Sequence, residues 1–142
     1  PGFMLSVLRR MAVTDVSIVP KAEEPQKLES RVVCEMIVEE DMCNPYGHIH
    51  GGCSAFLIDV CSTLAILAYG RAGNDGVVYT VSQAIDVVCH SPALLGDKIR
   101  IINTTLTVGG RTMSARTEIW NVTSSRLVST GTHIKMFPSP SP

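Results

Sequence analysis

The sequence has no Gly-x-Ser-x-Gly, so the nucleophile elbow of serine hydrolases is absent as a motif. It has no Cys-x-x-Cys, and its five cysteines are an odd number. Both facts argue against a disulfide framework or a zinc site. They favour free thiols in a reducing intracellular compartment, cytoplasmic or mitochondrial. It has no basic excess, since 12 Lys and Arg stand against 13 Asp and Glu. That balance speaks against nucleic acid or an anionic membrane surface as a charge-driven partner. An anionic ligand would have to be held by a few local Lys and Arg. There is no internal repeat and no linker, and 142 residues are enough for one domain with one core. Asn-x-Thr triplets at Asn103 and Asn121 match the glycosylation acceptor. With no secretory signal recognisable, they are expected to be chance matches.

What is present is one long uninterrupted run. Asn44 to Tyr69, NPYGHIHGGCSAFLIDVCSTLAILAY, opens with turn residues and, after His50-Gly51-Gly52, continues to Tyr69 without another Pro or Gly. This predicts one helix of about five turns at ~3.6 residues per turn, ended by Gly70. Phe56, Leu57, Ile58, Val60, Leu64, Ile66 and Leu67 surround it, and such a helix is expected to be buried on all sides. No membrane span is expected, because Asp59 sits mid-run, Ser62 and Thr63 follow, and basic anchors are missing from the flanks. Asp59, the only charge in the run, shares a face with Ser62 and Thr63 at i, i+3, i+4 spacing. A carboxylate in that setting is either hydrogen-bonded within the core or has a chemical task. Gly51 and Gly52 stand where Ser, Thr or Asp usually cap a helix. They leave the first amides, at the positive end of the helix dipole, open to an oxyanion or polarised carbonyl.

Taken in order, Met4 to Met11 reads as a short amphipathic helix on the domain edge, despite the presequence-like Arg9 and Arg10. Asp15 to Val19 reads as a short edge element, and Pro20 to Glu29 as a polar loop. Strands are predicted at Arg31–Glu39, Val77–Cys89, Lys98–Val108, Arg111–Trp120 and Arg126–Met136 from their β-branched content. Turns fall at Arg71–Gly76, Gly109-Gly110 and Asn121–Ser125, and Phe137 to Pro142 is a Pro/Ser tail. The division is a partly ordered extension over 1–30, a domain over 31–136 and a tail over 137–142. A helix followed by an antiparallel meander is an α+β layout with the sheet wrapped on the helix. Five or six strands cannot cover an all-round apolar helix alone, so a homodimer or dimer of dimers is expected.

Glu35 to Gly52, EMIVEEDMCNPYGHIHGG, followed by the helix with its central Asp59, resembles the hotdog-fold acyl-CoA thioesterases. Among them it is most similar to the small single-domain type of the phenylacetate pathway and the vertebrate thioesterase superfamily proteins. The carrying pattern is Asn-(x)5-His-Gly-Gly-(x)6-Asp with strands after it, and the resemblance runs from Arg31 to Met136. It implies the hotdog fold, an antiparallel sheet around one long helix. It also implies hydrolysis of an acyl-CoA thioester, with coenzyme A entering only as part of substrate and product and no further cofactor or metal.

The resemblance also implies roles. Gly51 matches the amide donor to the thioester carbonyl oxygen, and Asn44 a position orienting the thioester or the attacking water. Asp59 matches the carboxylate that acts as general base or as nucleophile. His50 matches a supporting hydrogen-bonding position, though a loop histidine holding the turn is an equal reading. Ser82 falls where relatives place a water-orienting hydroxyl, with a plain strand serine as its alternative. That match depends on aligning His90-Ser91-Pro92-Ala93 with the relatives' Ser-Pro-Ala. Gly52, His90 and Ser91 join it as substrate-binding positions. Arg111 and Thr112 resemble the turn that grips the coenzyme A arm. Gly131-Thr132-His133 and Lys135 resemble the relatives' last strand without an assigned role, and Pro45-Tyr46 departs from the relatives' pattern. Cys53, beside Gly52, is a nucleophile only if the helix start lowers its pKa; filling a helix–sheet contact is the plainer reading. Two other functions stay open: a hotdog hydratase or dehydratase, which needs a His/acid pair over the acyl chain, and a non-catalytic acyl-CoA sensor. Each active site is expected to draw Asn44 and Gly51 from one chain and Asp59 from its partner.

Overall fold

The structure, a computed structural model, describes residues 2–72 and 79–138. A short helix α1 (Leu5–Leu8) precedes strands β1 (Ala12–Pro20) and β2 (Leu28–Ile37). A loop containing a turn of 3-10 helix (Glu40–Met42) leads into the long helix α2 (Gly51–Ala72). Strands β3 (Val81–Cys89), β4 (Lys98–Val108), β5 (Thr112–Asn121) and β6 (Arg126–Met136) follow. They form one six-stranded antiparallel sheet in the order β1-β2-β4-β5-β6-β3, and α2 touches every strand. This is the predicted layout, a sheet wrapped on one helix.

The core lies between that helix and the inner face of the sheet. Leu57, Ile58, Cys61 and Ala65 of α2 are fully buried against Val32, Cys34, Ile99, Ile101 and Ile119. Alternation explains the sheet side: in β4 and β5 buried residues recur at every second position. Complete burial of one such aliphatic side chain contributes about 1.5–3 kcal/mol. Most polar groups in this layer are paired, the buried Ser129 hydroxyl being an exception among the described residues. Asn103 donates to the Val32 carbonyl at 3.0 Å and accepts from Thr117 at 2.6 Å, while the Ser30 hydroxyl donates to the Ala65 carbonyl of α2. Asn103 and Asn121, the two acceptor-like asparagines, are both buried and hydrogen-bonded, Asn103 to Val32 of β2 and Asn121 to Asp97 just before β4.

Several sequence expectations are revised. Within a single chain α2 is covered on one side only. Ala55, Phe56, Asp59, Val60, Thr63, Leu64, Leu67 and Ala68 form a half-exposed stripe at i, i+3, i+4 spacing, because one sheet covers only one side of a cylinder. Over Gly51–Gly70 α2 is long and apolar enough to cross a membrane, yet it is the core helix of this fold. It continues through Gly70, which is buried, to Ala72. The predicted turn at Arg71–Gly76 and the start of a strand at Val77 lie mostly outside the described residues, and β3 begins at Val81. The tail from 139 onward is also outside them. The first thirty residues, expected as an extension, supply β1, which pairs along β2 from Ala12 to Pro20, and Val7, which is 1% exposed in the core. Arg10 and Asp41 form an ion pair that ties α1 to the loop before α2.

Helix and sheet approach closely at Gly131 in β6. A Cβ there would lie 2.5 Å from the Asp86 carbonyl oxygen of β3 and 2.9 Å from the Ile58 side chain of α2. Only a residue without a side chain lets these three elements meet. Gly131→Ala should therefore destabilise the fold by about 1–3 kcal/mol through overpacking, read as a lower urea midpoint with an unchanged slope.

Candidate active site

The loop before α2 is built around Asn44. Its side-chain oxygen accepts the amides of Tyr46 at 2.9 Å and His48 at 3.1 Å, and its own amide donates to the His48 carbonyl at 2.7 Å. Gly47 takes φ +79° inside this turn, a conformation glycine adopts freely. The Asn44 Nδ2 group makes no hydrogen bond among the described residues, so two donors remain available. His50 then closes the loop, its amide donating to the Met42 carbonyl at 2.8 Å.

His50 also caps α2. The Gly52 amide donates to His50 Nδ1 at 2.8 Å, which satisfies one of the helix's orphan donors. An added Cβ on Gly52 would stand 3.0 Å from that nitrogen, so Gly52 is small because the imidazole lies on it. Of the two amides expected to be open, one is thus occupied. The Gly51 amide has no acceptor among the described residues, and an added Cβ would meet only Cys89 Sγ, at 4.0 Å. It sits at a hollow of about 350 Å³ lined by Asn44, His48, Gly51, Ser54, His90 and Ser91 among others. His90 and Ser91 are held to β6: His90 Nε2 lies 2.9 Å from Thr130 Oγ1, and Ser91 donates to the Leu127 carbonyl at 2.5 Å. The free amide, the helix dipole and the Asn44 donors make this hollow suited to a partial negative charge.

Asp59 lies elsewhere. Its side chain is 43% exposed and borders a second hollow of about 510 Å³, with Phe3, Gly52, Ala55, Phe56, Ile85 and Val87. Behind it runs a polar chain that sequence reading did not assign. His133, fully buried on β6, has Nδ1 2.8 Å from Ser62 Oγ and Nε2 2.8 Å from Ser82 Oγ, and Nδ1 lies 3.9 Å from Asp59 Oδ1. Ser62 donates to the Asp59 carbonyl at 3.1 Å. The set closes with a neutral imidazole: Nδ1–H donates to Ser62, and the Ser82 hydroxyl donates to Nε2. Burial pushes the His133 pKa down, against an upward pull from Asp59 and with a further downward push from Lys135.

Lys135, two residues along β6 on the same face, donates to Thr63 Oγ1 at 3.1 Å, and Thr63 donates to the Asp59 carbonyl at 2.9 Å. Burial lowers the Lys135 pKa, and Asp59 opposes the shift. Ser82 therefore faces the helix. The alternation that would group it with Ala84 and Asp86 is broken by a register shift between Ser82 and Ala84. The signal available in the sequence was His133 and Lys135 at i, i+2 in β6, whose only other charged residue, Arg126, stands at its first position; that spacing places two ionisable groups on one face.

One chain therefore brings Asn44, Gly51, His90 and Ser91 to one hollow, and Asp59 and Gly52 to another, with Ser82 reaching Asp59's surroundings through His133. Gly51 and Asp59 are separated by about 12 Å along the helix. Arg111 and Thr112 stand at the opposite end of β5 from the loops around Asn44, on the order of 30 Å away. Cys53 is buried, and that burial pushes its thiol up to about 11, the opposite of the lowering a helix-start nucleophile needs. All five cysteines are free thiols, and no group of metal-ligating side chains occurs among the described residues.

Known proteins resemble this arrangement over most of its length. The Thioesterase superfamily profile matches residues 46–127. Acyl-coenzyme A thioesterase 13 of Mus musculus is 36% identical over 111 residues, 78% of this chain and 73% of the relative. The chain belongs to the thioesterase superfamily. The human protein of the same name is 36% identical over 105 residues, covering 74% of this chain and 71% of its own. The zebrafish thioesterase superfamily member 2 structure superposes with a TM-score of 0.78 at 31% identity, covering 97% of this chain and 88% of that one. The hotdog fold and thioester hydrolase class implied by the sequence motif are thus established for this thioesterase. The profile match begins at Tyr46 and ends at Leu127, so Asn44, His133 and Lys135 lie outside it.

The buried imidazole gives a pH test. Its folded pKa is below the unfolded value, so between the two the unfolded chain binds the extra proton and the native state loses stability as pH falls. The contribution is complete above the ordinary histidine range and declines below it. Between about pH 7 and pH 5, the wild-type Tm should fall more steeply than that of His133→Gln, measured by thermal scans across that range.

Proposed function

We propose that this thioesterase hydrolyses acyl-CoA thioesters to the free acid and coenzyme A at sites each composed of two chains. One observation carries the proposal. A single chain holds its free helix-start amide and its candidate base in separate hollows, about 12 Å apart, whereas an oxyanion donor and a base must reach one carbonyl centre, directly or through one water. The half-exposed stripe on α2, centred on Asp59 and otherwise mostly apolar, supports a second copy packing there, as a dimer or dimer of dimers. The acyl-CoA substrate follows from the names of the mouse and human relatives.

In this scheme the thioester oxygen accepts from the Gly51 amide, with Asn44 Nδ2 orienting the thioester or the water. Asp59 of the partner subunit takes a proton from water, which attacks the carbonyl carbon; the tetrahedral oxyanion collapses and expels coenzyme A thiolate. Ser82, held by His133, orients the water. His50 acts as a positioning residue by capping α2, and Gly52 makes room for it. His90 and Ser91 line the oxyanion hollow, and Arg111 and Thr112 meet the phosphate end of coenzyme A from another chain. No separate cofactor takes part. Hydratase chemistry would need a His/acid pair poised over the acyl chain; the Nδ1 of His50, the histidine next to the helix start, is engaged in capping.

Asp59→Asn should lower kcat by ~10²–10⁴-fold with fold and oligomer retained, measured as thiol release against a no-substrate blank. Retention of most activity would remove Asp59 from the chemistry. Gly51→Val should abolish most turnover while leaving Tm nearly unchanged, because the added side chain enters open space where the carbonyl oxygen must sit. Wild-type turnover would rule out that oxyanion site. Mixing inactive Asn44→Ala and Asp59→Ala proteins should restore activity toward about a quarter of wild type after random exchange, since half the dimers then carry one intact site. No recovery, with exchange verified by differently tagged chains, would place both residues in one subunit's site.

A further inference from the structure

The first turn of α2 carries one polar side chain that no hydrogen bond accounts for. Ser54 is 2% exposed and lines the hollow at the helix start with Asn44, Gly51 and Ser91. A helical serine or threonine often returns its hydroxyl to a carbonyl three or four residues back. This helix does so twice: Ser62 donates to the Asp59 carbonyl at 3.1 Å and Thr63 at 2.9 Å. The Ser54 hydroxyl makes no such bond, and it has no other hydrogen-bond partner among the described residues. Side-chain hydroxyls so enclosed are mostly paired, because an unpaired one gives up water and gains nothing. The backbone around it is settled. The Cys53 and Ser54 amides both donate to the His50 carbonyl, at 2.9 and 3.0 Å, and the Gly52 amide donates to His50 Nδ1. The Gly51 amide and the Ser54 hydroxyl are the donors of this turn left unused. Ser54 follows Gly51 by three residues, so the two share a face of α2, and a helical side chain leans back over the turn before it. The hydroxyl is thereby carried toward the space beside Gly51 without filling it, since a Cβ added there would meet only Cys89 Sγ, at 4.0 Å.

We propose that the Ser54 hydroxyl is a second oxyanion donor of this thioesterase, acting beside the Gly51 amide on the thioester carbonyl oxygen. The inference rests on the acyl-CoA reading above and adds a catalytic residue to it. As water attacks, the carbonyl oxygen gains negative charge. A hydroxyl donating to a charged oxygen makes a shorter bond, about twice as strong as one to a neutral acceptor. Ser54 therefore stabilises the tetrahedral state more than the bound thioester, and only that difference raises kcat. Enclosure strengthens the effect, because a dipole already held in place needs no reorganisation when the charge develops. The role also gives the missing back-bond a reason: a hydroxyl turned onto the His50 carbonyl would direct away the hydrogen that the oxyanion needs.

The test compares full-length wild type, Ser54→Ala and Ser54→Thr on whichever of acetyl-, octanoyl- and dodecanoyl-CoA the wild type cleaves fastest. Ser54→Ala should lower kcat by ~10²-fold while its Tm stays at or above the wild-type value, because the change removes an enclosed polar group that has no partner to lose. Ser54→Thr keeps the hydroxyl and should retain most of kcat. Two non-cleavable competitors separate contact with the oxyanion from general binding: S-(2-oxodecyl)-CoA, which carries a carbonyl, and S-decyl-CoA, which does not. Ser54→Ala should weaken inhibition by the first by ~10-fold and leave the second unmoved. Wild-type kcat in Ser54→Ala, or an equal weakening of both competitors, would overturn the assignment. A fall in kcat accompanied by a lower Tm and not recovered in Ser54→Thr would make Ser54 a packing residue instead. A wild-type protein that cleaves none of the three substrates would overturn the acyl-CoA reading itself and the role of Ser54 with it, an outcome distinct from an active enzyme indifferent to Ser54.

Discussion

A sheet can cover only one side of a helix, and most of this structure follows from that limit. α2 buries Leu57, Ile58, Cys61 and Ala65 against the curved inner face and leaves the stripe from Ala55 to Ala68 half-exposed. Packing on the covered side is tight enough that Gly131 admits no Cβ, which fixes the height of the helix over β6 and β3. With that height set, Ser62 meets His133, Thr63 meets Lys135, and Asp59 is held at the boundary between the buried and open faces. The open face is both where a second copy has reason to pack and where the carboxylate is available.

Asp59 is held at its backbone rather than at its carboxylate, which accepts no hydrogen bond among the described residues. The hydroxyls of Ser62 and Thr63 both donate to its backbone carbonyl, and the two partners of those hydroxyls, His133 and Lys135, come from one strand. The network is satisfied with His133 neutral, which agrees with the downward shift that burial imposes. Protonating His133 would replace an acceptor with a donor toward Ser82 and add charge to an enclosed site. A structural element and a site element are therefore the same set of hydrogen bonds, and mutations at His133 should affect stability as well as the setting of Ser82.

At the helix start, the two glycines that look equivalent in the sequence have different tasks. Gly52 accommodates the His50 imidazole, and Gly51 keeps an amide free. Of the two readings of His50, the geometry shows the turn-holding one: its Nδ1 accepts the Gly52 amide and caps α2. Asn44 acts similarly, spending its side-chain oxygen on the turn and keeping its donors available.

Much of this was legible along the chain because it is local. The helix from Gly51, the meander of β-branched strands, the turn at Asn44 and the His-Gly-Gly-(x)6-Asp spacing depend on residues within a few positions of one another, where periodicity and turn chemistry act directly. The membership in a thioesterase family was legible for the same reason. What only the tertiary structure decided is what depends on contact between distant segments. The continuation of α2 past Gly70 reflects burial there. The assignment of His133 and Lys135 to Asp59's surroundings needs β6 laid beneath α2, more than 70 residues away in sequence. The facing of Ser82 turns on a register shift in β3. Short-range pattern determines which elements form. Which side chains meet is set by how closely those elements can pack, and at Gly131 that distance is decided by the absence of a single carbon.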